Sequence, residues 1–120
     1  MHMSGEAVLL RVFLGERDRY EGLPMFEVIV NAARRDGMAG ATVLRGIEGF
    51  GASSRVHTAR LLRLSSDLSI VIELVDKEER IDAFMSTLDA LFDTAGCGGL
   101  VTRERVQIVR YHAEGSKPEG

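Results

Sequence analysis

Residues 68–94, LSIVIELVDKEERIDAFMSTLDALFDT, contain the clearest strand and a well-marked helix of the sequence. In the first eight residues, aliphatic side chains at the even positions alternate with Val, Glu and Val, which predicts a strand over Leu68–Val75. Asp76 and Glu79 have the spacing of a capping box, in which both side chains accept backbone N–H groups at the start of a helix. The helix that follows carries an apolar stripe up to about Thr94. The other elements are assigned relative to this predicted strand and helix.

The segments on either side complete a β-α-β-β-α-β order. The remaining predicted elements are, in chain order, a strand over Ala7–Leu14, a helix from Pro24 to a cap at Gly37, and strands over Ala41–Ile47 and Arg105–Tyr111. Two βαβ halves with right-handed crossovers predict an α+β, ferredoxin-like sandwich, with a four-stranded antiparallel sheet and both helices on one face. Because the first strand and Leu68–Val75 are apolar on both sides, the open sheet face is expected to be buried by self-association.

The composition predicts one globular domain in a reducing compartment. A chain of 120 residues suits a single domain, placed at 6–111, with disorder expected at 1–5 and 112–120. The net charge of −3 argues against a nucleic-acid partner. Cys97 is the only cysteine, and no apolar run approaches the roughly 18–20 residues of a membrane helix. Without a secretory signal either, the sequence favours a cytoplasmic protein that does not insert into a membrane.

The least ordinary passage is RGIEGFGASSRVHTARLLR, residues 45–63. It holds four arginines against one glutamate, a local balance of +3. Closely spaced glycines let backbone N–H groups converge on an anion, and serine and arginine side chains can add donors. A glycine-rich hairpin with a solvated basic rim explains the same composition, and the spacing fits neither common phosphate-loop motif. A second glycine cluster, residues 96–99, precedes the last strand and reads equally well as a plain helix-to-strand connection.

Catalytic and metal-binding patterns are weak. No His-x-x-x-His or Cys-x-x-Cys spacing occurs, so no metal site is expected. Ser53 or Ser54 with His57 lacks an orienting acid, and the acidic residues mostly lie at helix ends and surfaces. We therefore expect no catalytic residues and no enzyme activity. Cys97 is expected to be an inert small residue, and Tyr20 to pack rather than bind.

Two motifs carry a family resemblance. The DRYEG loop at Asp18–Gly22 and ATVLRGIEGFGASSRVHTARLLRLS at Ala41–Ser65 resemble an uncharacterised branch of the PII-like family of small trimeric proteins. The wider PII family has a GFG sequence at the base of a loop between the second and third strands, and Gly49–Gly51 matches it. A glycine loop before the last strand and a basic C-terminal strand also have counterparts here.

The resemblance implies a homotrimeric regulator and a set of effector contacts. In PII proteins these elements, from neighbouring subunits, form a cleft for adenine nucleotides, and the loop contacts a target protein, for which a membrane transporter is one candidate. Together with the basic passage, this gives the candidate effector-binding residues Arg45, Gly49, Phe50, Gly51, Ser53, Ser54, Arg55, His57, Arg60, Gly98, Gly99 and Arg110. The expected effector is a small anion such as ATP, ADP or AMP, with no required cofactor.

The sequence departs from the PII pattern at two phosphate-binding positions. Ser53 stands where PII proteins have a glutamine, and no lysine lies near Gly99. Arg45, Arg55 or Arg60 are candidates to replace the missing lysine, or the ligand differs. Two alternatives stay open at this point: a protein-interaction module without a small ligand, and a metal-binding trimer resembling the copper-tolerance proteins of the same fold.

Overall fold

The structure, a computed structural model, describes residues 2–48 and 68–112. The solvent exposure of individual residues is described from residue 5 onward. Its elements are β1 (His2–Gly15), β2 (Arg19–Tyr20), β3 (Leu23–Pro24), α1 (Met25–Arg35), β4 (Thr42–Arg45), β5 (Ser69–Asp76), α2 (Glu78–Ala95) and β6 (Leu100–His112). The main sheet has the strand order β4-β5-β1-β6, and every neighbouring pair is antiparallel. This order, with two helices, confirms the predicted ferredoxin-like fold.

The core lies between the sheet and the helices. On β5, and from Val8 to Leu14 of β1, the side chains at even positions are buried, because successive residues of a strand point to opposite faces. The helices bury positions three to four apart. The buried apolar side chains include Val8, Leu10, Val12, Leu14, Ile70, Ile72 and Leu74 of the strands, and Met25, Ile29, Ala32, Ala33, Ile81, Phe84 and Leu88 of the helices. Each large aliphatic side chain in this layer contributes roughly 1.5–3 kcal/mol by leaving water.

The opposite sheet face is open in the single chain. Leu9, Arg11 and Phe13 of β1 and the odd positions of β5 point to it and are only partly covered. At its centre the Arg11 guanidinium bridges two strands: Nε donates to Glu73 Oε2 at 2.9 Å and Nη1 to Glu104 Oε1 at 2.7 Å. These hydrogen bonds raise the pKa of Arg11, so its charge is fixed. The open face is therefore an apolar surface around one central charge cluster.

Strands β1 and β6 both begin earlier in the sequence than predicted. β1 begins at His2 instead of Ala7, and β6 begins at Leu100 instead of Arg105. The two strands pair from Phe13 with Leu100 to His2 with His112. Pairing thus runs past the predicted domain limits of 6 and 111, which remain predictions. Residues 113–120 of the predicted tail lie outside the described residues.

The predicted capping box at the start of α2 is wrong. The N-cap is Lys77, and no side chain caps the helix. Asp76 is instead the last residue of β5 and is fully buried. Its carboxylate accepts the N–H groups of Ala39 and of Lys77, the N-cap residue itself, instead of an N–H within the first turn of the helix.

The DRYEG loop folds as a small hairpin that the sequence pattern did not predict. Tyr20 pairs with Leu23, and the two residues between them have positive φ, 48° at Glu21 and 84° at Gly22. Positive φ at both central residues is typical of a type I′ turn. Asp18 Oδ2 accepts the Gly15 N–H at 2.9 Å and so ties the loop to the end of β1. Tyr20 packs against the core, as predicted.

Candidate functional site

One end of the sheet brings Gly46 to the same side as the glycines of the α2–β6 connection. β4 ends there at Arg45, β1 ends at Gly15, and β5 and β6 begin there at Ser69 and Leu100. We call this the loop end. Two backbone hydrogen bonds of 2.8 Å close it, from the Gly46 N–H to the Ser69 oxygen and from the Glu16 N–H to the Leu68 oxygen. Gly46 and Leu68 therefore lie at the same end of the sheet as the α2–β6 connection.

Arg45 is the one residue of the predicted basic cluster that the structure describes. Its Nη2 lies 3.1 Å from Glu16 Oε2, and the arginine side chain is 54% exposed. The Glu16 oxygen is buried and accepts no hydrogen bond with good geometry, so the contact is an ion pair only. Arg45 thus has an acidic neighbour in the single chain, and an incoming anion would have to compete with it.

Gly98 and Gly99 are exposed in the α2–β6 connection. Gly96 ends α2 in the left-handed conformation, with φ 68°, and its N–H donates to the Phe92 oxygen at 2.8 Å. A β-carbon added at Gly99 would lie 2.8 Å from Phe92 Cε1 and 3.1 Å from the Phe13 oxygen. The connection is therefore closely packed at Gly99, and a glycine cap ends the helix.

The other predicted effector contacts fall outside the described residues. They are Gly49, Phe50, Gly51, Ser53, Ser54, Arg55, His57 and Arg60. Their role in a site stays a prediction.

Arg110 lies at the other end of the sheet. It lies ten positions after Leu100 on β6, so at about 3.3 Å per residue the two are roughly 33 Å apart along the strand. Within one chain, Arg110 therefore does not meet Arg45, Gly98 or Gly99. The predicted site residues form two separate groups.

Arg110 borders a cleft of about 730 Å³ at this second end. We call it the Arg110 cleft. Its lining residues are Leu9, Ala39, Gly40, Ala41, Thr42, Glu73, Val75 and Val106 to Tyr111. The volume is typical of small-molecule sites. The lining includes the aliphatic residues Leu9, Val75, Val106, Ile108 and Val109, and the polar residues Arg110, Thr42 and Glu73.

Sequence reasoning found only Arg110 among these lining residues. Leu9, Glu73 and Val75 share one face by strand alternation, and that signal was available in the pattern. The wall formed by residues 39–42 had no sequence signal, because its position depends on long-range contacts. One of these is the hydrogen bond of 3.1 Å from the Tyr111 hydroxyl to the Ala39 oxygen.

Cys97 lies near the DRYEG loop and has an unreactive environment. Partial burial raises the pKa of its thiol, and the negative charge of Asp18 raises it further. The side chain packs against the core. Among the described residues, no group of three or more His, Cys, Asp or Glu side chains is placed to hold a metal ion. Neither helix in 2–48 and 68–112 is long and apolar enough to cross a membrane.

The sheet order and the paired helices define a PII-like fold, and comparison with solved structures agrees. CPII, a nitrogen regulatory PII-like protein from Thiomonas intermedia K12, bound to ADP, AMP and bicarbonate, superposes with a TM-score of 0.64. The two are 16% identical, over 92% of this chain and all of CPII. The apo form of CPII gives a TM-score of 0.61 at 17% identity, over 93% of this chain and all of that one.

The chain belongs to the DUF190 family, whose model (Uncharacterized ACR, COG1993) matches residues 7–108. A UPF0166 protein of Aquifex aeolicus is 34% identical over 84% of this chain and 91% of the relative. UPF0166 protein MJ1524 of Methanocaldococcus jannaschii is 36% identical over 80% of this chain and 85% of the relative. The predicted membership of an uncharacterised PII-like branch is thereby confirmed.

Proposed function

We propose that the protein is a cytoplasmic, PII-like homotrimeric regulator that binds an adenine nucleotide between subunits. Nucleotide binding orders residues 51–63 and changes their fit to a partner protein, for which a membrane transporter is one candidate. The fold is that of CPII, which binds ADP and AMP. The proposal carries that ligand class over to this chain.

The Arg110 cleft is the observation that carries the proposal. A nucleotide needs an apolar surface for its base and a cation for its phosphates. Leu9 and Val75 supply apolar surface, and Arg110 supplies an exposed guanidinium at the border. No hydrogen bond or ion pair engages the Arg110 side chain within residues 5–48 and 68–112, so its donors face solvent.

The separation of the two groups of predicted residues supports an intersubunit site. Arg110 lies roughly 33 Å along β6 from the loop end of its own chain. A ligand that contacts both groups must therefore take them from different copies of the chain. The open sheet face offers the apolar surface for such an assembly.

Calorimetric titration of the oligomer with ADP, AMP and ATP tests the proposal. At least one nucleotide is expected to bind, and Arg110→Ala is expected to weaken that binding about tenfold through loss of charged hydrogen bonds. Arg34→Ala, which removes an exposed arginine of α1, is the matched control and should leave the affinity unchanged. Absence of binding for all three nucleotides to folded protein would contradict the proposal and favour an interaction module without a small ligand.

A further inference from the structure

Asp76 is a buried carboxylate that lies outside the lining of the Arg110 cleft. Its relative exposure is 0%, although it lies at the last position of β5. Oδ2 accepts the Ala39 N–H at 2.9 Å, and Oδ1 accepts the Lys77 N–H at 2.8 Å. Arg80 Nε lies 3.8 Å from Oδ1 and balances the charge. Both carboxylate oxygens are thus committed to backbone donors.

The hydrogen bond between the Ala39 N–H and the Asp76 carboxylate lies just beyond the last backbone pair of β4 and β5. The register pairs Thr42 with Glu73, and counting three residues further places Ala39 opposite Asp76. Backbone pairing has ended there, and the Asp76 carboxylate accepts the N–H in its place. This hydrogen bond therefore fixes the α1–β4 connection at Ala39, three residues before β4 begins.

Other side chains hold the same connection from different elements. Arg80 Nη1 of α2 donates to the Gly37 oxygen at 2.6 Å, and Tyr111 of β6 donates to the Ala39 oxygen at 3.1 Å. Ala39 thus has both of its backbone groups bound by side chains. The following residues, 40–42, line the Arg110 cleft and extend from this fixed point.

We infer that Asp76 is a positioning residue of the Arg110 cleft: it sets the nucleotide affinity by fixing the α1–β4 connection that forms one wall. This inference rests on the proposed function. Asp76 itself does not line the cleft. A wall that is already ordered costs less conformational entropy when a ligand binds, so loss of the anchor weakens binding without removing a ligand contact.

Asp76→Asn is the variant that tests the inference. An amide has a single acceptor oxygen, so it leaves one of the two N–H donors of Ala39 and Lys77 unsatisfied. We expect the affinity for ADP, measured by calorimetry, to fall about tenfold. Amide hydrogen exchange at residues 40–42 should accelerate, while exchange in the middle of α1 stays unchanged. Asp82→Asn, which removes an exposed carboxylate of α2, is the control and should change neither readout.

A second variant covers the case in which Asp76→Asn does not fold. Arg80→Gln removes the hydrogen bond from the arginine side chain to the Gly37 oxygen. We expect it to lower the ADP affinity about threefold and to accelerate amide exchange at residues 40–42 less than Asp76→Asn does. Arg103→Gln, which removes an exposed arginine paired with Asp82, is its control.

Two results would overturn the inference. One is a folded Asp76→Asn protein that binds ADP within twofold of wild type. The other is unchanged exchange at residues 40–42 in that variant. If wild type binds neither ADP nor the other nucleotides, the proposed function and the affinity role of Asp76 both fail, whereas the exchange experiment still decides whether Asp76 orders the wall.

Discussion

At Gly99, the absence of a side chain is a packing requirement. An added β-carbon would lie 2.8 Å and 2.9 Å from two carbons of the Phe92 ring and 3.1 Å from the Phe13 oxygen. The ring can shift, but the carbonyl belongs to β1 and is fixed by the sheet. We expect Gly99→Ala to lower the free energy of unfolding by about 1–3 kcal/mol, measured by urea denaturation.

Gly40→Ala is the matched control for this prediction. No atom lies within 4 Å of a β-carbon built at Gly40. The unfolded chain loses entropy in this substitution, so stability should stay the same or rise by up to about 1 kcal/mol. Equal unfolding free energies for the two variants would contradict the packing argument.

Cys97 gives a pH-dependent prediction. Burial and Asp18 raise the pKa of its thiol, so the folded protein holds the proton more tightly than the unfolded chain does. The corresponding stability is present below the pKa of the unfolded thiol and is lost as the pH rises through the folded value. Alkylation by iodoacetamide at a pH of about 8.5 should therefore be slower in native protein than in urea.

Asp18→Asn tests the electrostatic part of the Cys97 prediction. The amide oxygen can still accept the Gly15 N–H, while the negative charge near the thiol is removed. The native alkylation rate should rise. If the wild-type protein is alkylated equally fast when native and when unfolded, the fold does not protect the Cys97 thiol and the prediction is wrong.

At the scale of elements, the β2–β3 hairpin contains a residue that does not match its backbone. Glu21 has φ 48°, a conformation that asparagine tolerates better than glutamate. We expect Glu21→Asn to raise the free energy of unfolding by about 0.5–1 kcal/mol, because Asn-Gly favours a type I′ turn. Thermal and urea unfolding both measure this change.

The same substitution inside a helix is the control. Glu79 lies in the first turn of α2, where a negative charge and helix propensity both favour glutamate. Glu79→Asn should lower stability by about 0.5 kcal/mol. If both substitutions moved stability in the same direction, the turn geometry at Glu21 would not be the cause.

The strands that were predicted well are the ones whose pairing leaves a local pattern. β5 alternates cleanly because one face packs on the helices. The first part of β6 does not alternate, and it was missed. Arg103 forms an ion pair with Asp82 of α2, and Glu104 forms one with Arg11. A strand stabilised by ion pairs to distant elements looks like a polar loop in sequence.

The same limit applies to the candidate site. Arg110 was identified through the family resemblance, and its neighbours in the cleft were not. The wall at residues 39–42 depends on Asp76, which was assigned to a helix cap because the local spacing fits one. A buried acceptor that serves a residue 37 positions away has no local signature.

At the scale of the whole molecule, one open sheet face remains to be covered. Leu44 is 48% exposed and Leu100 57% exposed at positions that point to this face. Val71 and Phe13 lie between them on the paired strands. Arg11 and its two glutamates lie beside this row on the same face and carry a net charge of −1. Contact between copies over this face would bury the apolar side chains and enclose a charge cluster that is already hydrogen-bonded internally.

We predict that the protein is a homotrimer and that the open sheet face forms its interface. Light scattering after size exclusion should give three times the chain mass of 13.2 kDa. Leu44→Glu should shift the protein to monomer, because an unpaired carboxylate in a closed interface costs several kcal/mol. Ala83→Glu, at an exposed position of α2, is the control and should leave the trimer intact. A monomeric wild type, or a Leu44→Glu trimer of unchanged stability to dilution, would place the interface elsewhere and remove the geometric basis for a nucleotide site shared between subunits.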